Sequence, residues 1–170
     1  MYFIANRNMP MPQDVETFLT THKIQYVLHE HPAVFTCEEA EKYCGNIPGM
    51  ACKNLFLRAP EEGRYFLLVL HAKKRCDFKK CAETSGTKKV TFADEKKLEI
   101  FLGLTPGAVT PFGLLNDSQK RVELFVDKEV WDAPIVSFHP NVNTATLELT
   151  SDMFHRCIEA MGHSAIVVEM

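Results

Sequence analysis

With 170 residues, 46% of them hydrophobic and 24% charged, the chain is long enough for one domain with a real core and one small-molecule-sized pocket. Its net charge of −3 excludes a generally basic nucleic-acid coat protein, and the composition excludes a disordered tail or a collagen-like repeat. No apolar run approaches the roughly 18 residues of a membrane span, and the opening MYFIANRNMP lacks a signal peptide's basic, apolar and small-residue regions, so a soluble, cytoplasmic protein is expected.

Residues 1–11 read as a flexible N-terminal extension and 12–170 as the domain. Val15, Phe18 and Leu19 fall at near-helical spacing, which predicts an amphipathic helix over 14–24 and then a strand over 24–29. Thr36 and Glu39 form a capping-box pattern and Gly45 supplies a stop, placing a second helix between them. The apolar runs 51–58 and 65–72, joined by a turn containing Pro60 and Gly63, predict a central hairpin. Helices over 77–84 and 94–102, ended by Gly86 and Gly103, flank a short strand over 90–92. After a loop over 105–113 come strands at 122–127, 135–138 and 144–149, a helix from Ser151 and a strand over 165–168. This order predicts a single α+β domain in which helices flank a central mixed sheet with mainly antiparallel pairing.

The cysteines Cys37, Cys44, Cys52, Cys76, Cys81 and Cys157 form no C-x-x-C spacing, so free, mostly buried thiols are expected. His29 and His31 share a strand face, but no nearby acid or cysteine completes a zinc set, and neither a metal nor a cofactor is expected.

Three constellations are candidates for chemistry. Lys53 and Asn54 stand at the mouth of an apolar strand, where an ammonium is costly to bury without an anion, although an exposed lysine at a strand start would read the same way. The loop 105–113 holds two prolines and two glycines among small residues. It suits an ordinary connector, and equally a backbone surface whose amides meet a carbonyl or oxyanion at Gly107, Ala108, Val109, Thr110 and Pro111. Phe138, His139, Asn143 and Thr144 sit where two strands join, so their polar groups face either a turn or a pocket. Cys52 alternates to the strand face opposite Lys53, which disfavours a thiol mechanism. Lys73, Lys74, Arg75, Lys79 and Lys80 form the densest basic stretch and are candidates for phosphate contacts or for a solvated helix face.

The segments His31-Pro-Ala-Val-Phe-Thr36, Lys53-Asn-Leu-Phe-Leu57, Gly107 to Pro111 and Phe138-His-Pro-Asn-Val-Asn-Thr-Ala-Thr-Leu147 occur in this order. Together they resemble the YbaK-like, prolyl-tRNA synthetase-associated editing domains, and most of all the free-standing alanyl-tRNA(Pro) deacylases. The resemblance implies a curved, mainly antiparallel sheet and hydrolysis of the ester joining a noncognate amino acid to the terminal adenosine of proline tRNA.

By position, the resemblance makes Lys53 a phosphate anchor and Asn54 a residue that positions substrate or water. Gly107 becomes a backbone contact to the aminoacyl group, and His139 part of a small amino-acid pocket, while Asn143 and Thr144 gain no role. The implied partners are the acceptor end of proline tRNA and, by association, prolyl-tRNA synthetase, with neither membrane nor DNA. Removal of cysteine, serine or threonine, or a noncatalytic tRNA-binding adaptor, would fit the same motifs.

Overall fold

The computed structural model describes residues 11–170. The N-terminal extension therefore lies outside the described residues apart from Met11, which is buried in the core beside Val15. Helix α1 spans Gln13–Thr21 and ends earlier than its apolar spacing predicts. The chain turns at Lys23, whose φ of 53° lies in the left-handed region, and strand β1 starts only at Val27 and runs Val27–Glu30. Helix α2, Cys37–Cys44, forms where predicted because Thr36 and Glu39 make a complete capping box, yet it buries no residue of its own.

The central hairpin is β2, Met50–Ala59, and β3, Arg64–His71. Helix α3, Phe78–Ser85, and helix α4, Glu95–Leu102, are capped by Asp77 and Asp94 and stopped by left-handed Gly86 and Gly103, with the two-residue β4, Thr91–Phe92, between them. A 3-10 helix, Pro111–Asn116, replaces the end of the predicted loop, because Thr110 caps it and Pro111 pre-sets its first turn. Strands β5, Val122–Asp127, and β6, Ile135–Phe138, are separated by the short helix α5, Lys128–Trp131. Strand β7, Ala145–Thr150, helix α6, Ser151–Ala160, and strand β8, Ala165–Val168, complete the described chain.

Eight strands form one mixed sheet in the order β1-β7-β6-β2-β3-β5-β8, with β4 added beside β2. The β1–β7, β6–β7, β2–β3 and β2–β4 pairs are antiparallel, as the hairpins predict. The β2–β6, β3–β5 and β5–β8 pairs are parallel, so the sheet is mixed with antiparallel pairs in the majority, as expected. Two halves of the sheet meet only where Met50 and Ala51 of β2 pair with Val136 and Ser137 of β6.

Strand alternation divides the core between the two faces. On one face Phe56, Leu67 and Val69 pack against α1, α4 and α6 through Leu19, Phe101 and Phe154. On the other, Leu57, Phe66, Leu68 and Leu70 pack against α3 through Cys81 and Ala82.

Leu67 is fully buried in the central strand β3. Leu67→Ala should cost about 2–5 kcal/mol, read as a lower urea midpoint at unchanged slope, whereas Thr36→Ala at the exposed helix cap should cost only about 1 kcal/mol.

Candidate active site

The site begins with a gap in the sheet. On one edge β2 pairs with β3 from Cys52 to Ala59. On the other edge it leaves β6 after Ala51 and meets β4 only at Leu57. Asn54 lies in that gap. Its carboxamide Nδ2 donates to the Val109 carbonyl at 3.1 Å, while its Oδ1 is buried with no hydrogen-bond partner. A cavity of ≈ 210 Å³ opens here, lined by Asn54, Cys52, Phe138, His139, Thr146 and, from α2, Cys44.

Two bonds fasten the glycine loop to the strand joint. The Thr110 hydroxyl donates to the His139 carbonyl at 2.6 Å, and Asn141 Nδ2 donates to the Phe112 carbonyl at 3.4 Å. The Ala108 amide donates to the Thr105 carbonyl at 3.1 Å, closing a β-turn with Pro106 and Gly107 at its centre. Gly107 has φ of 84°, and a side chain there would meet nothing within 4 Å, so the turn needs glycine for its backbone conformation rather than for space.

Residues 31–157 match the aminoacyl-tRNA editing domain family. The chain belongs to that family. It is 36% identical over 163 residues to the prolyl-tRNA editing protein ProX of Acetoanaerobium sticklandii, covering 96% of this chain and 99% of that protein. It is 28% identical to prolyl-tRNA synthetase associated domain-containing protein 1 of Danio rerio, over 92% of this chain and 85% of that one. A solved structure described as a candidate trans-editing enzyme for prolyl tRNA synthetase shares the fold, with a TM-score of 0.69 at 19% identity over 93% of this chain and 96% of that one. The chain is thus an aminoacyl-tRNA deacylase. Among the described residues no helix is long and apolar enough to cross a membrane.

Within this editing domain the predicted residues separate into groups. Asn54, Phe138 and His139 line the cavity. Val109 and Thr110 reach it through their bonds to Asn54 and His139, and Pro111 is buried behind them, while Gly107 stands exposed at the turn. Asn143 and Thr144 hold the 31–34 segment instead. Asn143 Nδ2 donates to the Val34 carbonyl at 3.3 Å, and the Thr144 carbonyl accepts the His31 amide at 3.0 Å.

Lys53 lies on the sheet face opposite Asn54, as strand alternation demands, and its charge bears on Cys76 beside α3. Cys52 shares Asn54's face and so does line the cavity. Burial pushes its thiol up to about 12, against a backbone bond at Ser137, which leaves it protonated and a poor nucleophile.

Of the basic stretch, Lys74 is committed to the buried Asp127 at 2.6 Å, and Lys79 reaches only the exposed Glu83 at 4.0 Å. Lys73, Arg75 and Lys80 make no ion pair among the described residues.

Sequence reasoning missed Cys44, and it carried Thr146 and Asn141 only as polar members of the 138–147 motif, without a role. Thr146 Oγ1 meets His31 Nε2 at 2.9 Å at the cavity wall, and His31 stands edge-on to His139 with ring centroids 6.0 Å apart. The period of β7 puts Thr144 and Thr146 on one face, but the His31 that covers Thr146 lies more than a hundred residues away.

His139 Nδ1 must donate to the Ala145 carbonyl at 2.9 Å, because a carbonyl only accepts, and this leaves Nε2 as a free lone pair. Burial lowers the His139 pKa, opposed by the Ala145 bond and aided by His31. In the fold this ring therefore stays neutral where the unfolded chain, with a midpoint near about 6.5, takes up a proton. Its contribution to stability is present above that pH and falls away as the pH drops below it. His139→Gln should flatten the slope of unfolding free energy below about pH 6.5 without abolishing it, since His163, lowered chiefly by burial, acts in the same direction. Imidazole nitrogen NMR should find the Nδ1–H tautomer at neutral pH.

Proposed function

We propose that the chain hydrolyses alanine from mischarged proline tRNA, using a positioned water and a pocket that selects by size. The observation that carries this reading is the buried, unpartnered Oδ1 of Asn54 at the wall of a ≈ 210 Å³ cavity. An acceptor fixed in this way, with its amide already held by Val109, suits a donor brought by the ligand, either a water or the substrate's α-ammonium. The cavity falls below the roughly 300–1,000 Å³ of an ordinary small-molecule site. It suits a small aminoacyl group, with the nucleotide lying outside it.

An aminoacyl ester is already activated, so hydrolysis needs a placed water and donors for the developing oxyanion rather than a covalent nucleophile. The protonated state of Cys52 and the neutral His139 accord with such a path. The loop amides around Gly107, apart from that of Ala108, which is bonded to Thr105, are the candidate oxyanion donors, and His139 with Phe138 bounds the side-chain pocket. Proline would be excluded sterically, which discriminates more strongly than binding the smaller alanine can.

Lys53 acts in this reading as the anchor for the terminal phosphate. It lies on the α3 side of β2, and Lys73, Arg75 and Lys80, which make no ion pair among the described residues, come from the segment that leads into α3 and from α3 itself. The partner is the acceptor end of proline tRNA. The relatives' names, which refer to prolyl-tRNA editing and to prolyl-tRNA synthetase, support that choice and make the synthetase a candidate partner.

The test is release of amino acid from a panel of charged tRNAs. Ala-tRNA(Pro) should be hydrolysed faster than Pro-, Cys-, Ser- or Thr-charged tRNA. Asn54→Ala should lower the rate constant by about 100- to 1,000-fold, the scale of losing a donor or positioning group in such a site. Lys53→Ala should act mainly through weaker tRNA binding and a smaller salt dependence. Wild-type binding of tRNA without any release of alanine would sink the reading.

A further inference from the structure

Cys76 and Cys81 are the one close thiol pair among the described cysteines, with Sγ atoms 3.7 Å apart. Their contact follows from how α3 starts. Asp77 is the N-cap and accepts the Lys80 amide at 3.0 Å, so Cys76 precedes the cap and Cys81 is the fourth helical residue. Those two positions form the hydrophobic staple of a helix start, and here both staple residues are thiols. Forming a bond of about 2.05 Å from this contact requires the sulfurs to approach by only about 1.7 Å, within reach of side-chain rotation. We propose that Cys76 and Cys81 are a redox-active pair, closed to a disulfide by exchange with a low-molecular-weight disulfide and set beside Lys53 so that closure alters the phosphate anchor.

The two thiols differ in the way exchange needs. Cys76 is half-buried rather than enclosed, and its thiol is held below the ordinary range by the hydrogen bond with Cys81 and by the Lys53 ammonium, against burial and Asp77. Cys81 is buried, and its thiol is pushed well up by its bond to Cys76 and by burial. Cys76 is therefore the attacking sulfur and Cys81 the resolving one.

In the first step the Cys76 thiolate attacks one sulfur of the reagent, whose S–S bond breaks, and one small thiolate leaves and takes up a proton. Once Cys76 carries a mixed disulfide it no longer presses a negative charge on Cys81. The Cys81 proton then goes to solvent, its sulfur attacks Cys76, and the second small thiolate leaves. Two electrons pass from the protein to the reagent, and the net products are one protein disulfide and two small thiols. A thiol held in contact outcompetes a second molecule of reagent, because the step is intramolecular.

The link to editing rests on the anchoring role proposed for Lys53, and the bridge itself does not. The full-length protein is incubated with oxidised glutathione, alkylated under denaturing conditions and peptide-mapped. Expected are loss of two of the six thiols, recovery of a Cys76–Cys81 cross-linked peptide and reversal by dithiothreitol. Cys81→Ser should trap one glutathione on Cys76, and Cys76→Ser should give no cross-link. An unbridged Cys76–Cys81 peptide in oxidised wild type, or a glutathione adduct stable on Cys76 with Cys81 intact, overturns the pair. Deacylation by the oxidised enzyme should slow and recover with reductant, and Cys81→Ala should escape a cross-link-dependent loss. A bridged enzyme working at the reduced rate overturns the link to Lys53, while a reduced enzyme that hydrolyses nothing counts only against the proposed activity.

Discussion

The site depends on one constraint, the short seam by which the two halves of the sheet are joined. β2 touches β6 only through Met50 and Ala51, and then runs unpaired on that edge until Leu57 reaches β4. A strand edge left open inside a protein must satisfy its polar groups some other way. Here the glycine loop is fastened across the opening by side-chain bonds instead of a strand ladder, from Asn54 to the Val109 carbonyl and from Thr110 to the His139 carbonyl. Had β6 continued alongside β2, the same edge would be closed by a backbone ladder and the cavity would be filled.

Electrostatics at this seam are quiet, which fits the chemistry. Asn54, Thr146, His139 and two thiols line the cavity, and no carboxylate is among them. The ionisable groups there are pushed toward neutrality by burial, His139 downward and Cys44 and Cys52 upward, with Thr146 partly offsetting the shift at Cys44. Fixed dipoles rather than charges are what such a wall offers a reacting ester. Buried charge is kept away from the cavity. Asp117, wholly buried at the end of the 3-10 helix, is satisfied by the Arg121 and Val122 amides, and the buried Asp127 by Lys74.

Much of the fold could be read from the chain because its signals are local. Thr36 with Glu39, Asp77 and Asp94 each mark a helix start that the structure reproduces, and the apolar runs of β5, β6 and β8 carry their own boundaries. The parallel pairings of β2 with β6 and of β5 with β8 were not legible, since nothing local records which distant strand arrives beside which. Helix α5 is a single turn, too short for a period to show. The same division holds at the site. Asn54 and His139 announced themselves as polar residues at strand ends, whereas Thr146 and Cys44 matter only because β7 and α2 are carried to the seam from opposite parts of the chain.

Lys53 and Asn54 illustrate how far alternation alone can be taken. Two adjacent residues on a strand must face opposite sides of the sheet, so the motif could never have delivered both side chains into one pocket. The sequence placed Cys52 opposite Lys53, but it did not say which of the two faces held the cavity. In the structure the cavity is on the face of Cys52 and Asn54, and Lys53 faces α3. In the proposed reading this separation is the useful feature. A substrate that ends in a small amino acid on one side and a charged backbone on the other is gripped across the open edge of β2, with neutral dipoles on the acyl side and ammonium on the phosphate side. Exchanging the two residues would put an unpaired cation in the cavity, at the cost that burying a charge without a partner carries, and would leave the phosphate side with an amide.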